Sequence, residues 1–174
     1  LRQRLRPHAA APRALPMKEA KLTLPRDPGA AQTGSLTVIT AATPWESRPL
    51  ARMLALARSQ EDRLIHQGHG LLLVETGMGP ERTHAALRGL SSRFAVRGVI
   101  GTGFAGALQP ELLCGDIVVD PHDASLDLVE RVRRAATETR VRLFLGRLAS
   151  EPAPLFDPET KRDLGRRTRA TAVD

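Results

Sequence analysis

One stretch of the sequence, Val99–Val119 (VIGTGFAGALQPELLCGDIVV), constrains the fold more than any other. It begins with the apolar pair Val99-Ile100, continues with six small residues among the seven positions 101–107, and ends in the β-prone run Ile117–Val119. Small residues directly after a strand let another group approach the backbone closely, because no large side chain stands in the way. A tight turn between two core strands also uses such residues, but their number favours a ligand bound against the main chain.

Strand-like and helix-like segments alternate along the chain from Leu36 onward. Short runs that are apolar on both faces predict buried strands, and segments with helical spacing of apolar residues follow them. This alternation predicts an α/β fold with a mostly parallel central sheet flanked by helices. The predicted strands are 36–40, 71–74, 96–100, 117–119, 141–148 and 170–173, and the predicted helices are 45–58, 81–94, 126–137 and 158–167.

Parallel sheets of this kind bind ligands at the carboxyl ends of their strands. Three segments of the sequence fall at such ends: Ala41–Glu46 after the first strand, Thr76–Gly79 after the second and Thr102–Gly106 after the third. We therefore expect these three segments to meet at one edge of the sheet and to form the binding site.

Glu46 stands near the start of the first predicted helix, close to the end of the first strand. An acidic side chain there can simply complement the helix N-terminus, a contribution of about 0.3–1 kcal/mol. The same carboxylate can act as a general base that activates a water molecule. Taken alone, the residue favours the first role, and the sequence leaves both open.

Two other segments also have a structural and a functional interpretation. Gly77-Met78-Gly79 places backbone amides ahead of a helix, where they can bind an anion or a ribose hydroxyl, although its glycine spacing is not that of a dinucleotide-binding motif. Met78 is either a core residue or the adaptable wall of a pocket. Phe104 either stacks on a heterocycle or closes the end of the sheet.

The basic charge of the chain is concentrated in its first 34 residues. The formal net charge is +7, and residues 1–34 hold seven basic and two acidic side chains. The remainder has no basic stripe with interleaved aromatic residues, so we expect no nucleic-acid partner. No apolar run approaches the roughly 20 residues of a membrane span, and residues 1–34 lack the apolar middle of a signal peptide. We therefore expect a cytoplasmic protein without membrane contact.

The composition also sets the expected domain organisation. Residues 1–34 are rich in Pro, Ala and Arg, which predicts a disordered basic tail, and residues 35–174 are predicted to form one α/β domain. The single cysteine, Cys114, excludes an internal disulfide, and no Cys or His spacing is typical of a zinc site. We expect neither a metal nor a cofactor.

Together, the three strand ends resemble the nucleoside phosphorylase superfamily, and in particular its nucleosidase branch, the methylthioadenosine/S-adenosylhomocysteine nucleosidases. The resemblance rests on residues 99–108 and 115–119, on Thr76–Gly79 and on Ala41–Glu46, and it covers about residues 36–174. It implies hydrolysis of the N-glycosidic bond of a 5′-substituted adenosine, such as methylthioadenosine or S-adenosylhomocysteine. A small-molecule nucleoside is thus the implied partner, and the family implies a homodimer for the full-length protein.

The resemblance also implies roles for individual residues. Glu46 matches the glutamate that activates the attacking water, and Ser150 stands where a strand of the family leads into a loop that covers the base. Phe104 occupies a position where the family usually has serine or another small residue. The implied substrate-binding residues are Gly77, Met78, Gly79, Thr102, Gly103, Phe104, Ala105, Gly106 and Asp174.

The end of the sequence departs from the family pattern. Ala172-Val173-Asp174 looks like the start of the family's Val-Glu/Asp-Met-Glu segment, and the resemblance places the ribose-binding glutamate and the acid that protonates adenine beyond Asp174. We therefore expect a fragment with an incomplete C-terminal end, inactive by itself. Two alternatives remain: a nucleoside phosphorylase, for which Arg48 is the one basic residue close to the first turn, and a non-catalytic nucleoside-binding or oligomerising module.

Overall fold

The structure is a computed structural model and describes residues 35–174. The predicted tail, residues 1–34, lies outside the described residues. Ten strands and four helices follow one another along the described chain. They are β1 (Leu36–Ala41), α1 (Pro44–Met53), β2 (Ala57–Arg58), β3 (Ile65–Gly68), β4 (Leu71–Glu75), α2 (Pro80–Ser91), β5 (Val96–Thr102), β6 (Gly106–Ala107), β7 (Ile117–Val119), α3 (Leu126–Thr139), β8 (Leu143–Leu145), β9 (Leu148–Ala149), α4 (Pro158–Thr168) and β10 (Ala172–Val173).

The largest sheet has five strands in the order β2-β3-β4-β1-β5. Within this sheet β1 lies between β4 and β5 and runs parallel to both, so that Ile39 lies between Leu73 on one side and Ile100 on the other. The carboxyl ends of these three strands consequently lie at the same edge. This arrangement confirms the predicted α/β fold with its mostly parallel central strands.

The antiparallel edge of this sheet was not predicted. The predicted helix 45–58 ends at Met53, because Leu54 caps it and Ala55 takes a left-handed φ of 51° that turns the chain away. The short strands β2 and β3 follow, and β3 turns back into β4 around His69 and Gly70, which also have positive φ. These two strands are too short and too mixed in polarity to show a clear strand pattern in the sequence.

The predicted strand 141–148 is two separate strands. Gly146 and Arg147 interrupt it, and β8 pairs in parallel with β7, whereas β9 pairs with β10 in a second small sheet. In that second sheet, β10 also pairs with β6 in antiparallel orientation. The chain after β5 therefore forms two small sheets of two and three strands instead of extending the central one.

The core lies on both faces of β1 and β4, as their mainly apolar sequences predict. Alternate residues face opposite sides, so one cluster packs beside α2 and the other beside α1. The first contains Leu36, Val38, Ile65, Leu72, Val74 and Leu90, and the second contains Ile39, Ala41, Ala51, Leu56 and Leu73. Strand β5 differs, because Val99 and Ile100 remain about half exposed at the edge of the sheet. None of the helices in residues 35–174 has the length and apolar character needed to cross a membrane.

Gly146 provides a test of how β8 and β9 are joined. A Cβ atom at this position would lie only 2.9 Å from the Cβ of Thr171, and the Gly146 amide donates to the carbonyl of Val119 at 3.0 Å, which restricts movement of the backbone. We expect Gly146→Ala to lower the free energy of unfolding by about 1–3 kcal/mol, the usual cost of overpacking. Urea unfolding followed by circular dichroism measures the change.

Gly89 is the matched control for this substitution. It lies inside α2, and a Cβ atom there would meet no atom within 4 Å. Gly89→Ala should therefore raise the stability, by up to about 1 kcal/mol, because alanine favours the helix. Equal effects of the two alanine substitutions would contradict the close approach of Gly146 to Thr171.

Candidate active site

The three predicted strand ends meet at one edge of the central sheet. The backbone N–H of Thr76, directly after β4, donates to the carbonyl of Ala41 at 2.9 Å. The hydroxyl of Thr102, at the end of β5, donates to the carbonyl of Thr40 at 2.9 Å. The turns after β1, β4 and β5 are thus tied together by hydrogen bonds.

Glu46 is held at this edge by the start of helix α1. Thr43 precedes the helix in an extended conformation, and Glu46 is the third helical residue. One carboxylate oxygen, Oε2, accepts hydrogen bonds from the backbone N–H of Thr43 at 2.9 Å and from its hydroxyl at 3.1 Å. This is the side-chain half of a capping box, so the helix-terminus role of Glu46 is present in the structure.

The other carboxylate oxygen of Glu46 reaches the third strand end. Oε1 accepts a hydrogen bond from the backbone N–H of Phe104 at 3.1 Å. Gly103 makes room for it, since a Cβ atom there would lie 3.0 Å from Oε1. The glycine at position 103 is therefore explained in part by the Glu46 side chain, which packs against it, and not only by a bound ligand.

The hydrogen bonds of Glu46 leave capacity for a further donor. An ionised carboxylate offers about four acceptor positions, and the described residues fill three of them, two at Oε2 and one at Oε1. A water molecule can donate to the remaining position on Oε1. Glu46 can thus stabilise the start of α1 with Oε2 and still accept a hydrogen bond from a water molecule at Oε1.

The turn after β4 adopts a backbone conformation at positions 77 and 79 that only glycine adopts readily. Gly77 and Gly79 have φ values of 77° and 97°, which side-chain-bearing residues rarely adopt. The turn leads into α2, which begins at Pro80, and the side chain of Arg82 lies against Gly77, 3.0 Å from where a Cβ atom would stand. Arg82 was not predicted as part of this edge, since its spacing alone does not distinguish it from other helix-surface arginines.

Met78 and Phe104 are both exposed, at 71% and 76% of their surface. Neither is a core residue, so the interpretation of Met78 as core and of Phe104 as a plug of the sheet does not hold in the structure. Exposed apolar side chains at the edge where three strands end are suited to contact a ligand.

The remaining predicted residues are divided between two parts of the fold. Thr102 uses its hydroxyl within the central sheet, as described above, and Ala105 is exposed in the loop that follows. Gly106 begins β6 and pairs with Val173, and the side chain of Lys161 packs against it.

Asp174 and Ser150 lie together beyond the small sheet. The Ser150 hydroxyl donates to Oδ1 of Asp174 at 2.7 Å, and the Asp174 N–H donates to the carbonyl of Ala149 at 2.9 Å. Within residues 35–174, no hydrogen bond joins this pair to Glu46. The structure therefore brings Asp174 next to Ser150 and does not connect it directly to the Glu46 edge.

A buried pair beside Glu46 was missed by sequence reasoning. The Ser47 hydroxyl donates to Oε1 of Glu75 at 2.6 Å, and both residues are buried. The available signal was the charged residue at the end of the otherwise apolar strand β4, directly before the glycine turn.

Comparisons with known proteins agree with this architecture. Residues 37–120 match the family model described as the phosphorylase superfamily. The 5′-methylthioadenosine/S-adenosylhomocysteine nucleosidases of Mycobacterium bovis and Mycobacterium tuberculosis are each 41% identical over 69 residues, which cover 37% of this chain and 27% of the relative. The matched segment thus spans about a quarter of the length of these curated relatives.

Solved structures resemble the chain over a longer stretch. A futalosine hydrolase mutant of Helicobacter pylori superposes with a TM-score of 0.67 at 19% identity, covering 80% of this chain and 79% of the other. A nucleosidase mutant of the same organism, solved with 5′-methylthioadenosine in its active site, gives a TM-score of 0.69 at 19% identity, covering 81% and 75%. At these identities the likeness establishes the fold.

Proposed function

We propose that the complete protein is a nucleosidase of the phosphorylase superfamily, whose family model matches residues 37–120, and that it hydrolyses the N-glycosidic bond of a 5′-substituted adenosine. The nucleosidases among its curated relatives support this reaction. Methylthioadenosine and S-adenosylhomocysteine are the first substrates to test, because those relatives are named for them.

The position of Glu46 is the observation that carries the proposal. Its carboxylate is held between the first and third strand ends and retains an acceptor position for a water molecule. In the proposed mechanism that water donates to Oε1 and attacks the anomeric carbon of the sugar as the bond to adenine breaks. Glu46 accepts the proton released by the water, and this is general base catalysis.

The neighbouring turns supply the proposed substrate contacts. The backbone of Gly77 and Gly79 and the exposed side chain of Met78 would contact the sugar. Residues 102–106, with the exposed ring of Phe104, would contact the base and sugar. The N–H of Phe104 is engaged by Glu46, so this amide would help to orient the base catalyst.

The departing adenine must receive a proton, which contributes about 10²–10⁴-fold to the rate. The resemblance places the acid for this step, and the glutamate that binds the ribose hydroxyls, after Asp174. We therefore propose the activity for the complete protein. Asp174, held by Ser150, matches the start of the family's Val-Glu/Asp-Met-Glu segment and is proposed as a substrate contact.

The two alternative functions make different demands on this edge. A phosphorylase needs cationic groups for phosphate, and Arg48 and Arg82 are the basic residues near the first and second turns, while the carboxylate of Glu46 would repel the anion. A non-catalytic module would bind the nucleoside without cleaving it. Hydrolysis is our first choice, because the carboxylate of Glu46 would repel phosphate and can accept a hydrogen bond from a water molecule.

Assays with the protein translated from the complete reading frame distinguish the three functions. We expect release of free adenine from methylthioadenosine in phosphate-free buffer, with no stimulation by phosphate. Strict dependence on phosphate, with formation of a sugar 1-phosphate, would identify a phosphorylase. Nucleoside binding in calorimetry without release of adenine would identify a binding module.

Gly103→Ala tests the close approach of the Glu46 carboxylate. The added Cβ atom would lie 3.0 Å from Oε1 and push the carboxylate by a few tenths of an ångström. We expect kcat to fall by about tenfold, less than the roughly 10²-fold that a misplacement of 1 Å costs. Steady-state kinetics of adenine release measures the change.

Gly98 supplies the control on the same strand. A Cβ atom at Gly98 would meet no atom within 4 Å, so Gly98→Ala adds the same group to β5 without touching Glu46. Its kcat should stay close to that of the wild type. Equal losses in the two variants would show that the effect arises from strand β5 in general and would contradict the role given to Gly103.

A further inference from the structure

We propose that Ser47 and Glu75 form a positioning pair that fixes the direction in which Glu46 points. The catalytic consequence of this pair rests on the proposed function, but its structural consequence does not. Neither residue was predicted as part of the site. The pair lies directly behind the candidate base, at the junction of helix α1 and the end of strand β4.

Burial shows that the contact between Ser47 and Glu75 is not an incidental surface interaction. Ser47 has 0% of its surface exposed and Glu75 has 9%. The hydroxyl of Ser47 donates to Oε1 of Glu75 at 2.6 Å, a short distance typical of a charge-assisted hydrogen bond. Removing either group would leave a buried polar partner without this bond, so the two side chains hold each other in place.

Glu75 is a firm anchor because its backbone is fixed on both sides. It pairs with Ala41 in the parallel ladder between β1 and β4, and its N–H donates to the carbonyl of Leu64 at 2.9 Å. A side chain attached to this position can move little relative to the central sheet. Whatever binds the Glu75 carboxylate is therefore tied to the sheet.

The first turn of α1 needs such an anchor. Pro49 lies inside the helix and has no N–H to donate to the carbonyl of Trp45, so one of the first intrahelical hydrogen bonds is missing. Trp45 and Arg48 are exposed and do not pack against the core. Ser47 and Ala51 are the buried residues of this helix, and only Ser47 belongs to its first turn.

Helix geometry connects the anchor to the base. Consecutive residues of an α-helix are separated by about 100° around the axis, so fixing Ser47 toward the sheet also fixes where Glu46 projects. In the observed orientation the carboxylate of Glu46 reaches both Thr43 and Phe104. Rotation of the first turn of α1 would break the hydrogen bond between Glu46 and the Phe104 N–H, because this bond joins the helix to the end of strand β5.

The first experiment needs no enzymatic activity. The N–H groups of Thr43 and Phe104 both donate to Glu46, so their hydrogen exchange, followed by NMR, reports the position of the carboxylate. We expect Ser47→Ala to accelerate exchange at Phe104 by about tenfold, although alanine favours the helix. Glu75→Gln should leave exchange at Phe104 at the wild-type rate, since its amide oxygen still accepts from Ser47, whereas Glu75→Met should behave like Ser47→Ala.

Ser59→Ala is the matched control for Ser47→Ala. The Ser59 hydroxyl accepts from the N–H groups of Glu61 and Asp62 in the connection between β2 and β3, away from the strand ends. This variant removes hydrogen bonds of a serine without touching the Glu46 edge. Unchanged exchange at Phe104 in Ser47→Ala, or equal acceleration in Ser59→Ala, would overturn the positioning role whether or not the protein is a nucleosidase.

The second experiment measures the catalytic consequence in the complete protein. A misplaced base lowers kcat, by up to about 10²-fold for 1 Å, and leaves KM little changed. We expect this pattern for Ser47→Ala and Glu75→Met, with Glu75→Gln close to the wild type. A rise in KM alone, or an equal loss of kcat in Glu75→Gln and Glu75→Met, would overturn the proposal. Absence of turnover in the wild type would refute the proposed function, and the exchange data would then decide the structural claim.

Discussion

In the complete protein, replacement of Glu46 by glutamine is expected to lower kcat for the proposed adenine release by about 10²–10⁴-fold, the usual contribution of a general base. Glutamine has nearly the same shape but cannot accept the proton of the attacking water. Its amide group also cannot accept hydrogen bonds at both ends, whereas the Glu46 carboxylate accepts from Thr43 at one oxygen and from Phe104 at the other. We therefore expect a stability loss of about 1 kcal/mol, the value of one hydrogen bond.

Glu81→Gln is the control for this substitution. Glu81 is an exposed acidic residue in the first turn of α2, so it occupies a helix position similar to that of Glu46 without contacting another strand end. Its replacement should leave kcat unchanged. Equal kcat values for the wild type and Glu46→Gln, measured as adenine release, would remove Glu46 from the chemical step.

Leu73→Ala is expected to cause the largest loss of stability, about 2–5 kcal/mol. Leu73 lies in the middle of β4 with 0% of its surface exposed, and it packs with Ile39 and Ala51 beneath helix α1. The truncation removes apolar contacts and leaves a cavity that the paired strands on both sides cannot close. Urea unfolding at 25 °C gives the free energy of unfolding of the two proteins.

An exposed leucine provides the comparison for Leu73. Leu113 is 64% exposed in the loop before β7, and Leu113→Ala should change the free energy of unfolding by less than about 0.5 kcal/mol. Similar losses in both variants would show that β4 is not the centre of the core. Leu73→Ala would then have to be explained by a general effect of leucine truncation.

The central part of the fold could be predicted because its sequence pattern is local. Strands β1, β4 and β5 each contain a short run of β-prone apolar residues, and parallel strands bring their carboxyl ends to one edge. The end of helix α1 could not be predicted, since it depends on the left-handed conformation of Ala55, a residue type that normally favours helix. Likewise, nothing in the run 141–148 indicates that β8 and β9 join different sheets.

The meeting of three strand ends at one edge was predicted, the contacts there only in part, and the assignment of this edge as the active site stays a prediction. The strand-end rule indicated that the segments holding Glu46, Gly77 and Gly103 would lie at one edge. The bond from the Phe104 N–H to Glu46 joins residues 58 positions apart, and its existence depends on the parallel register of β1 and β5. The Ser47–Glu75 bond likewise depends on how α1 lies on the sheet, which residue types alone do not specify.

The most direct test of the account is hydrolysis in water labelled with heavy oxygen, using the complete protein and 5′-methylthioadenosine. If Glu46 activates water against the anomeric carbon, the released sugar should carry one labelled oxygen at that carbon, and mass spectrometry should detect it in phosphate-free buffer. The Glu46→Gln variant should form the same labelled sugar at a rate lower by orders of magnitude. Unlabelled sugar 1-phosphate as the product, or labelled sugar formed equally fast by both proteins, would contradict the account.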